Sequence, residues 1–495
     1  MTAFGKEDDA DVVEKASRKM FNVTSPILQQ SCTLGIRHLQ VLLLFLGMTI
    51  GYSLRVGMSV AVVAMANAST ANPNIEDFGW NGDEQGLVLS SFFWGYLVTQ
   101  IPSGYIATIW SGQKLLSIGM LICGVLNVVL PIVASSWGLV AVLVCRVGMG
   151  LTQACLLPCA HALLSKWVPP SERAQLATFA YAGAQFGTVI TMPISGAFAA
   201  SDVGWPFIFY TFGTLSIVWS VVFFILGADA PSTYRGISQE EKEYIEESLK
   251  TTEEKETNQK LQTPWKEIFT SAPMWAIIIA HCGQNWGYWT LLTEIPDYMT
   301  HVLHFDIMKS GGIAALPYLA MWILSFPVSW LSDYALKKGM SRGLVRKISN
   351  TLAHWGPAIA LACMSVLPTN NYVWSVIVLI IAVALNAGSL CGFQINHIDL
   401  SPNFASTMMS ITNCLATITA IVAPIICNKI VYDKSNADLW NIVFFVSAGV
   451  YFLGNLVFII WSKGEVQWWN DPEEGQRQKQ QQKQEKVTKN EISSL

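Results

Sequence analysis

The chain has 495 residues, of which 52% are hydrophobic and only 13% charged, against about 25% charged in a typical soluble domain. That balance excludes an ordinary soluble enzyme, and the many runs of about 20 apolar residues, each able to cross ~30 Å of hydrocarbon, describe a polytopic membrane protein. The net charge of −4 excludes nothing, because the ionised groups sit in loops and tails, and nothing in it calls for nucleic acid.

Residues 1–38 form a polar N-tail without a cleavable signal peptide, so the apolar run beginning at Leu39 stays as a span. Hydropathy with loop punctuation then gives twelve spans, at 39–66, 85–107, 114–134, 138–165, 174–200, 207–227, 274–300, 311–333, 345–367, 372–395, 404–428 and 440–462. The expected fold is an all-α membrane protein of twelve transmembrane helices. A six-helix bundle (39–227), a central loop with a short helix (228–273), a second six-helix bundle (274–462) and a disordered tail (463–495) follow in order. Six plus six is the pattern of a transporter built from two parallel halves.

The first loop carries a glycosylation sequon at Asn67, on the side opposite the N-tail. After span 2 comes SGYIATIWSGQK and after span 8 SWLSDYALKKG. Both resemble the short loop motif of the major facilitator superfamily, the first with Thr108 and Ile109 where the motif has Asp and Arg, the second keeping Asp333. In the central loop Ser238 and Glu241 form a capping box that opens a charged helix ending near Leu249, read as a solvated connector. The C-tail ends in Ser493-Ser494-Leu495, a pattern that fits a PDZ-type partner.

Of thirty Lys and Arg, 25 fall on the terminus-bearing side of this topology, 3 on the other, and two remain inside apolar spans: Arg55 and Arg146. The bias places both termini in the cytoplasm. A guanidinium near the bilayer centre costs roughly 2.5–3.5 kcal/mol on translocon scales. Spans 1–6 offer essentially no interior carboxylate to pair with either arginine. Both therefore point to an anionic ligand, which a guanidinium grips with two parallel hydrogen bonds. Helix direction puts the two at similar depth, where they could face one cavity.

Other intramembrane polar residues leave alternatives open. Glu294 in span 7 either titrates, pairs with an arginine, or sits at the interface; Asp297 follows, with Pro296 expected to break the helix. His161 and His281 are proton carriers or packing histidines. Gln284, Asn285 and Tyr288 form a polar stripe, as do Asn413 and Thr417; Tyr288 and Asn413 are read as pathway residues, the alternative being helix contacts. Eight of the ten cysteines lie well inside apolar segments and behave as small hydrophobes, so neither a disulfide framework nor a metal site is expected. No nucleophile elbow, P-loop, HExxH or dinucleotide fingerprint appears, so no catalysis is expected.

Several stretches together resemble the anion:cation symporter family, which holds the type I sodium/phosphate cotransporters, sialin and the vesicular glutamate transporters. They are RVGMSVAVVAM from Arg55, FFWGYLVTQIP from Phe92, RVGMGL from Arg146 with His161 and KWVPPSER after it, and NHIDLSP from Asn396. NWGYWTLLTEIP and ALPYLAMW are most similar to the insect inorganic phosphate cotransporters. The resemblance implies a major facilitator fold and anion binding by Arg55 and Arg146. It also shows departures. Gln153 stands where proton-coupled members carry a glutamate, Leu54 where bacterial sugar-acid relatives have an aspartate, and Leu89 and Gln284 where glutamate transporters have a histidine and an arginine.

The resulting expectation is a secondary transporter moving phosphate or an organic carboxylate by alternating access, driven by sodium or membrane potential. Substrate-binding residues are Arg55, Arg146, Tyr288 and Asn413; Glu294, His161 and Gln153 are coupling candidates, with a sodium ion or a proton as the coupling ion. The alternatives are a proton-coupled, sialin-like exporter of sugar acids and, from another class, a non-transporting sensor or scaffold. The expected location is the plasma membrane rather than a lysosomal or vesicular one.

Overall fold

Several helices begin at caps that hydropathy does not reveal. The computed structural model describes residues 34–66, 77–250, 262–302, 307–364, 372–433 and 435–471. Helix α1 runs Ile36–Ala66 and α2 Gly82–Ile109. At the start of α2, Asn81 and Glu84 accept each other's backbone N–H at 3.0 and 2.9 Å, a reciprocal cap. Helix α3, Gly112–Gln153, opens on Ser111, whose Oγ accepts from Lys114 N at 3.1 Å. This stretch contains two crossings. Gly138 sits at φ 68°, a conformation other residues adopt at a cost. Cys145 Sγ reaches Leu126 O (3.3 Å) and Cys155 Sγ reaches Leu115 O (3.8 Å), so the segments on either side are antiparallel. Helix α4, Leu156–Trp167, completes the fourth crossing.

Helices α5 (Arg173–Ala200) and α6 (Pro206–Leu226) close the first half. The connector holds α7 (Gln239–Lys250) and α8 (Trp265–Thr270). The second half comprises α9 (Ala272–His301), α10 (Ile307–Lys337), α11 (Arg342–Met364), α12 (Tyr372–Leu385), α13 (Ile395–Leu400), α14 (Ala405–Ile430) and α15 (Ala437–Trp461). Helix α9 continues through Pro296 instead of breaking there. One lost backbone hydrogen bond does not end a membrane helix when the neighbouring bonds persist.

Seven described stretches are long and apolar enough to cross a membrane on composition alone, one of them being the doubled Gly112–Trp167 segment. Helices α2, α5, α9 and α11 are more polar crossings. In the first half α1 packs on α5 and α2 on α3; in the second α9 packs on α14 and α15, and α11 on α15. The seam between halves is made by α2 and α4 against α14 and by α5 against α10. Small residues allow the tightest approaches. A Cβ on Gly150 would fall on the Phe92 carbonyl and one on Gly95 on the Val147 carbonyl, so α2 and α3 touch backbone to backbone.

The face that carries both ends of the described chain is more ordered than the sequence suggests. Ser238 Oγ accepts from Glu241 N at 3.2 Å, the expected N-cap. The Glu241 carboxylate does not complete the box; it accepts from Ile36 N (2.9 Å), Arg37 N (3.1 Å) and Arg37 Nη1 (3.0 Å) at the start of α1. Arg37 also donates to Glu172 (3.1 Å), and Tyr244 and Ile245 of α7 are buried. The connector helix is therefore docked on the first half, not merely solvated. Beyond α15 the chain stays packed, with Trp469 buried and Asn470 Oδ1 accepting from Ser401 Oγ (2.8 Å) and Asn403 N (3.1 Å).

Candidate functional site

A cavity of about 120 Å³ lies between the halves, lined from the middle turns of the helices that surround it. That suits a phosphate or small carboxylate better than the drug-sized ligands that fill 300–1,000 Å³ pockets. One wall comes from α1, α2 and α5 (Tyr52, Arg55, Phe93, Tyr96, Tyr181, Gln185) and the other from α9 and α14 (His281, Gln284, Asn285, Tyr288, Trp289, Asn413). The floor is the broken tenth crossing. Gly392, at ψ −116°, interrupts a wide turn over Leu390–Gln394, and Phe393 and Gln394 of that turn line the cavity with Ser389 just before it. Discontinuous helices at a midplane site are a recurrent device of transporters.

Arg55 supplies the cationic side chain on the lining. Its Cζ stands 4.8 Å from the Phe92 ring centroid, 4.9 Å from Tyr96, 5.0 Å from Tyr52 and 5.8 Å from Phe93. Ring quadrupoles attract the cation, each by about 0.5–2 kcal/mol depending on solvation, and leave its hydrogen-bonding capacity largely unused. Arg55 Nη2 donates to Gln153 Oε1 at 3.3 Å, and Nε has no hydrogen-bond partner among the described residues. The amide of Gln153, fully buried, donates in turn to Gly51 O at 2.8 Å. A carboxylate could not make that second bond.

The expectation that Arg146 shares the cavity wall is not met in this conformation. Arg146 is 2% exposed and is absent from the lining. It packs against Phe92, with Cζ 5.1 Å from that ring centroid and Nε 3.4 Å from Val88 O. Tyr288 and Asn413 do line the cavity, and Asn413 Nδ2 donates to Tyr96 OH at 2.9 Å, a bond across the seam. Gln284, an amide and not a cation, is also on the lining. His161 is not. Its Nε2 meets Gln394 O at 3.1 Å across the seam and its Nδ1 meets Tyr181 OH at 3.0 Å, which makes it a bridge beneath the cavity. The Glu294 side chain and Asn67 lie outside the described residues.

On the terminus-bearing side of the cavity the halves are latched by charges that the sequence reading left in loops. Asp399 accepts from Arg346 Nε (2.6 Å) within its own half and from Arg173 Nη1 (3.2 Å) across the seam, all three being fully buried. Asp333 accepts from Ala174 N (3.1 Å) and Gln175 N (2.8 Å), capping α5 from the other half. At the matching place on the first half Thr108 hydrogen-bonds Ser406 (2.7 Å) and Thr407 (3.0 Å) of α14. The two degenerate loop motifs thus perform the same task, one with a carboxylate and one with a hydroxyl. Arg37, Arg173 and Arg346 are buried and each has an acid partner. Arg55 and Arg146 have none among the described residues.

A Major Facilitator Superfamily profile matches residues 44–424. The chain belongs to that superfamily. It is 41% identical over 462 residues to a Drosophila ananassae protein named "Putative inorganic phosphate cotransporter", covering 88% of this chain and 94% of that one. It is 35% identical to human sialin, covering 88% and 90%, and 33% identical to human vesicular glutamate transporter 2, covering 95% and 81%. These relatives place this facilitator in the anion:cation symporter family. A solved structure of the proton:xylose symporter XylE bound to 6-bromo-6-deoxy-D-glucose matches with a TM-score of 0.63 at 14% identity, covering 86% of this chain and 97% of that one, which shows the shared fold.

Within this facilitator, Gln153→Glu should convert the Arg55 surroundings. The new carboxylate would pair with Arg55 and, when ionised, repel an anion while facing the Gly51 carbonyl. Uptake by the variant should fall at neutral pH and recover as external pH drops, more steeply than in the unsubstituted protein. A pH profile parallel to that of the unsubstituted protein would show that Gln153 does not govern charge at the site.

Proposed function

We propose that this multi-pass membrane protein is a secondary active transporter that carries a small anion by alternating access. The anion is inorganic phosphate or an organic carboxylate. The observation that carries the reading is Arg55, a lining guanidinium held by aromatic rings and a neutral amide, with no carboxylate partner among the described residues. Leaving that charge unpaired in a membrane is costly, and an incoming anion removes the cost. Arg146, Tyr288 and Asn413 complete the proposed binding set, Arg146 in a later state of the cycle. The latched face is proposed to be cytoplasmic, with both termini on it, and the membrane to be the plasma membrane.

Coupling to sodium or membrane potential fits the neutral Gln153, while His161 and Glu294 stay as candidate proton sites for the alternative. That alternative, proton-coupled export of an organic carboxylate as in sialin-like transport, is favoured by one observation: Tyr52, Phe93, Tyr96, Tyr288 and Trp289 give the cavity aromatic walls suited to an organic body. Uptake of labelled phosphate into proteoliposomes, against a panel of competing organic anions and with sodium replaced by choline, tests both. Saturable, sodium-dependent phosphate uptake is expected. Uptake that persists in choline and follows an inward proton gradient would overturn sodium coupling, and competition only by organic anions would select the carboxylate.

A further inference from the structure

Phe92 contacts both arginines while only Arg55 reaches the cavity, and the geometry points to this ring as a partition that admits the anion to Arg55 first and to Arg146 only after α2 or the ring moves. The inference rests on the anion-site reading above and adds an order of engagement. Both guanidinium carbons sit about 5 Å from this one ring, at 4.8 and 5.1 Å, yet Arg55 lines the cavity and Arg146 does not. Phe92 itself is fully buried, and its own carbonyl is pressed against Gly150 in the helix that bears Arg146, one turn further on. The ring is thus fixed to the α2–α3 contact, and its position changes when that contact shifts.

Arg146 looks prepared for a partner it has not yet met. Its Nη1 is buried without a hydrogen-bond partner among the described residues, and its Nε has one long contact, to Val88 O. A guanidinium offers five donors, and the two on Nη1 are held in reserve. With the partition in place the site presents one cation to the ligand, which suits a monoanion. Uniting both guanidiniums would favour a dianion and supplies a binding step that strengthens only later in the cycle, the kind of differential binding that drives a conformational change. Phe92 on this reading is a positioning residue that sets charge selectivity.

Equilibrium binding and turnover separate these roles. The full-length protein in nanodiscs is titrated with a labelled monocarboxylate and with labelled phosphate at alkaline pH, where the dianion dominates; turnover is measured in proteoliposomes. Arg146→Gln should leave monoanion Kd within about twofold while turnover falls about tenfold or more, because the contact forms late. Phe92→Leu should improve dianion over monoanion binding by about tenfold, and the double variant Phe92→Leu/Arg146→Gln should lose that gain. If Phe92→Leu fails to fold, Phe92→Met preserves the volume and is read in the same way. If Arg146→Gln weakens Kd as much as Arg55→Gln does, the partition is wrong while the anion site stands. If neither arginine substitution changes Kd, the anion-site reading falls and the partition with it.

Discussion

Arg55→Gln is expected to abolish anion flux while leaving the protein folded. The guanidinium can give a bound anion two charge-assisted hydrogen bonds, each worth about 1.5–3 kcal/mol, so losing both should weaken binding by about a hundredfold or more. The structural cost is small by comparison. Among the described residues Arg55 holds no ion pair; it donates to Gln153 and is surrounded by four rings, and glutamine can still fill that space. The thermal transition of the purified variant should therefore lie within a few degrees of the parent while proteoliposome uptake falls to background. Arg55→Lys keeps the charge but not the planar fork and should retain a weak, high-KM activity. A variant that loses thermal stability along with transport would make Arg55 a structural residue and remove the main support for the site.

Asp399→Asn should have the opposite signature, losing stability first. Asp399 is the shared acceptor for Arg173 and Arg346, at 3.2 and 2.6 Å, with all three side chains about 1% exposed. Neutralising the acid leaves two guanidiniums buried without a counter-charge, and removing one partner of a buried ion pair typically costs about 3–5 kcal/mol. The variant should express poorly or melt well below the parent in detergent. Arg173→Gln is the informative companion. It removes only the contact across the seam and leaves the Arg346–Asp399 pair within one half. It should fold, and it should open the terminus-bearing face. With Ser406→Cys as a reporter on α14, a membrane-impermeant thiol reagent applied to that face should react faster in the Arg173→Gln background. Equal rates would mean that the ion pair does not hold the halves together; a stable Asp399→Asn protein would mean that the buried cations find other partners.

These two predictions show how differently buried arginines can be read from a sequence. Arg55 and Arg146 stand out because they interrupt apolar runs, and the anion proposed for them is argued from desolvation alone. Arg37, Arg173 and Arg346 sit at span ends and count as ordinary loop charges, yet the fold buries them as deeply as Arg146. Arg173 and Asp399 are 226 residues apart, and no periodicity links positions at that distance. The segments KWVPPSER and NHIDLSP hold the clue, since each places polar residues hard against a span end, but their meeting depends on the two halves closing over each other. The connector helix illustrates the same limit. Its Ser238 cap is local and readable, whereas the use of Glu241 to cap α1 requires a neighbour that only folding brings.

By itself the sequence determined the twelve-span, two-half architecture and the clustering of basic residues on one side of it, and it pointed to an anionic ligand. Each of these depends on composition along the chain or on the cost of placing one charge in hydrocarbon, and none needs a second element to be specified; that Gln153 stands in place of a titratable group is legible only through the family resemblance. Only the tertiary structure decided that Arg55 faces the cavity while Arg146 is buried against Phe92, away from the lining, and that a buried Arg–Asp–Arg cluster joins the halves on the terminus-bearing face. Which way a side chain points across a helix pair is set by close backbone contacts such as Gly95 and Gly150 against their neighbours. Those contacts exist only once the helices have packed.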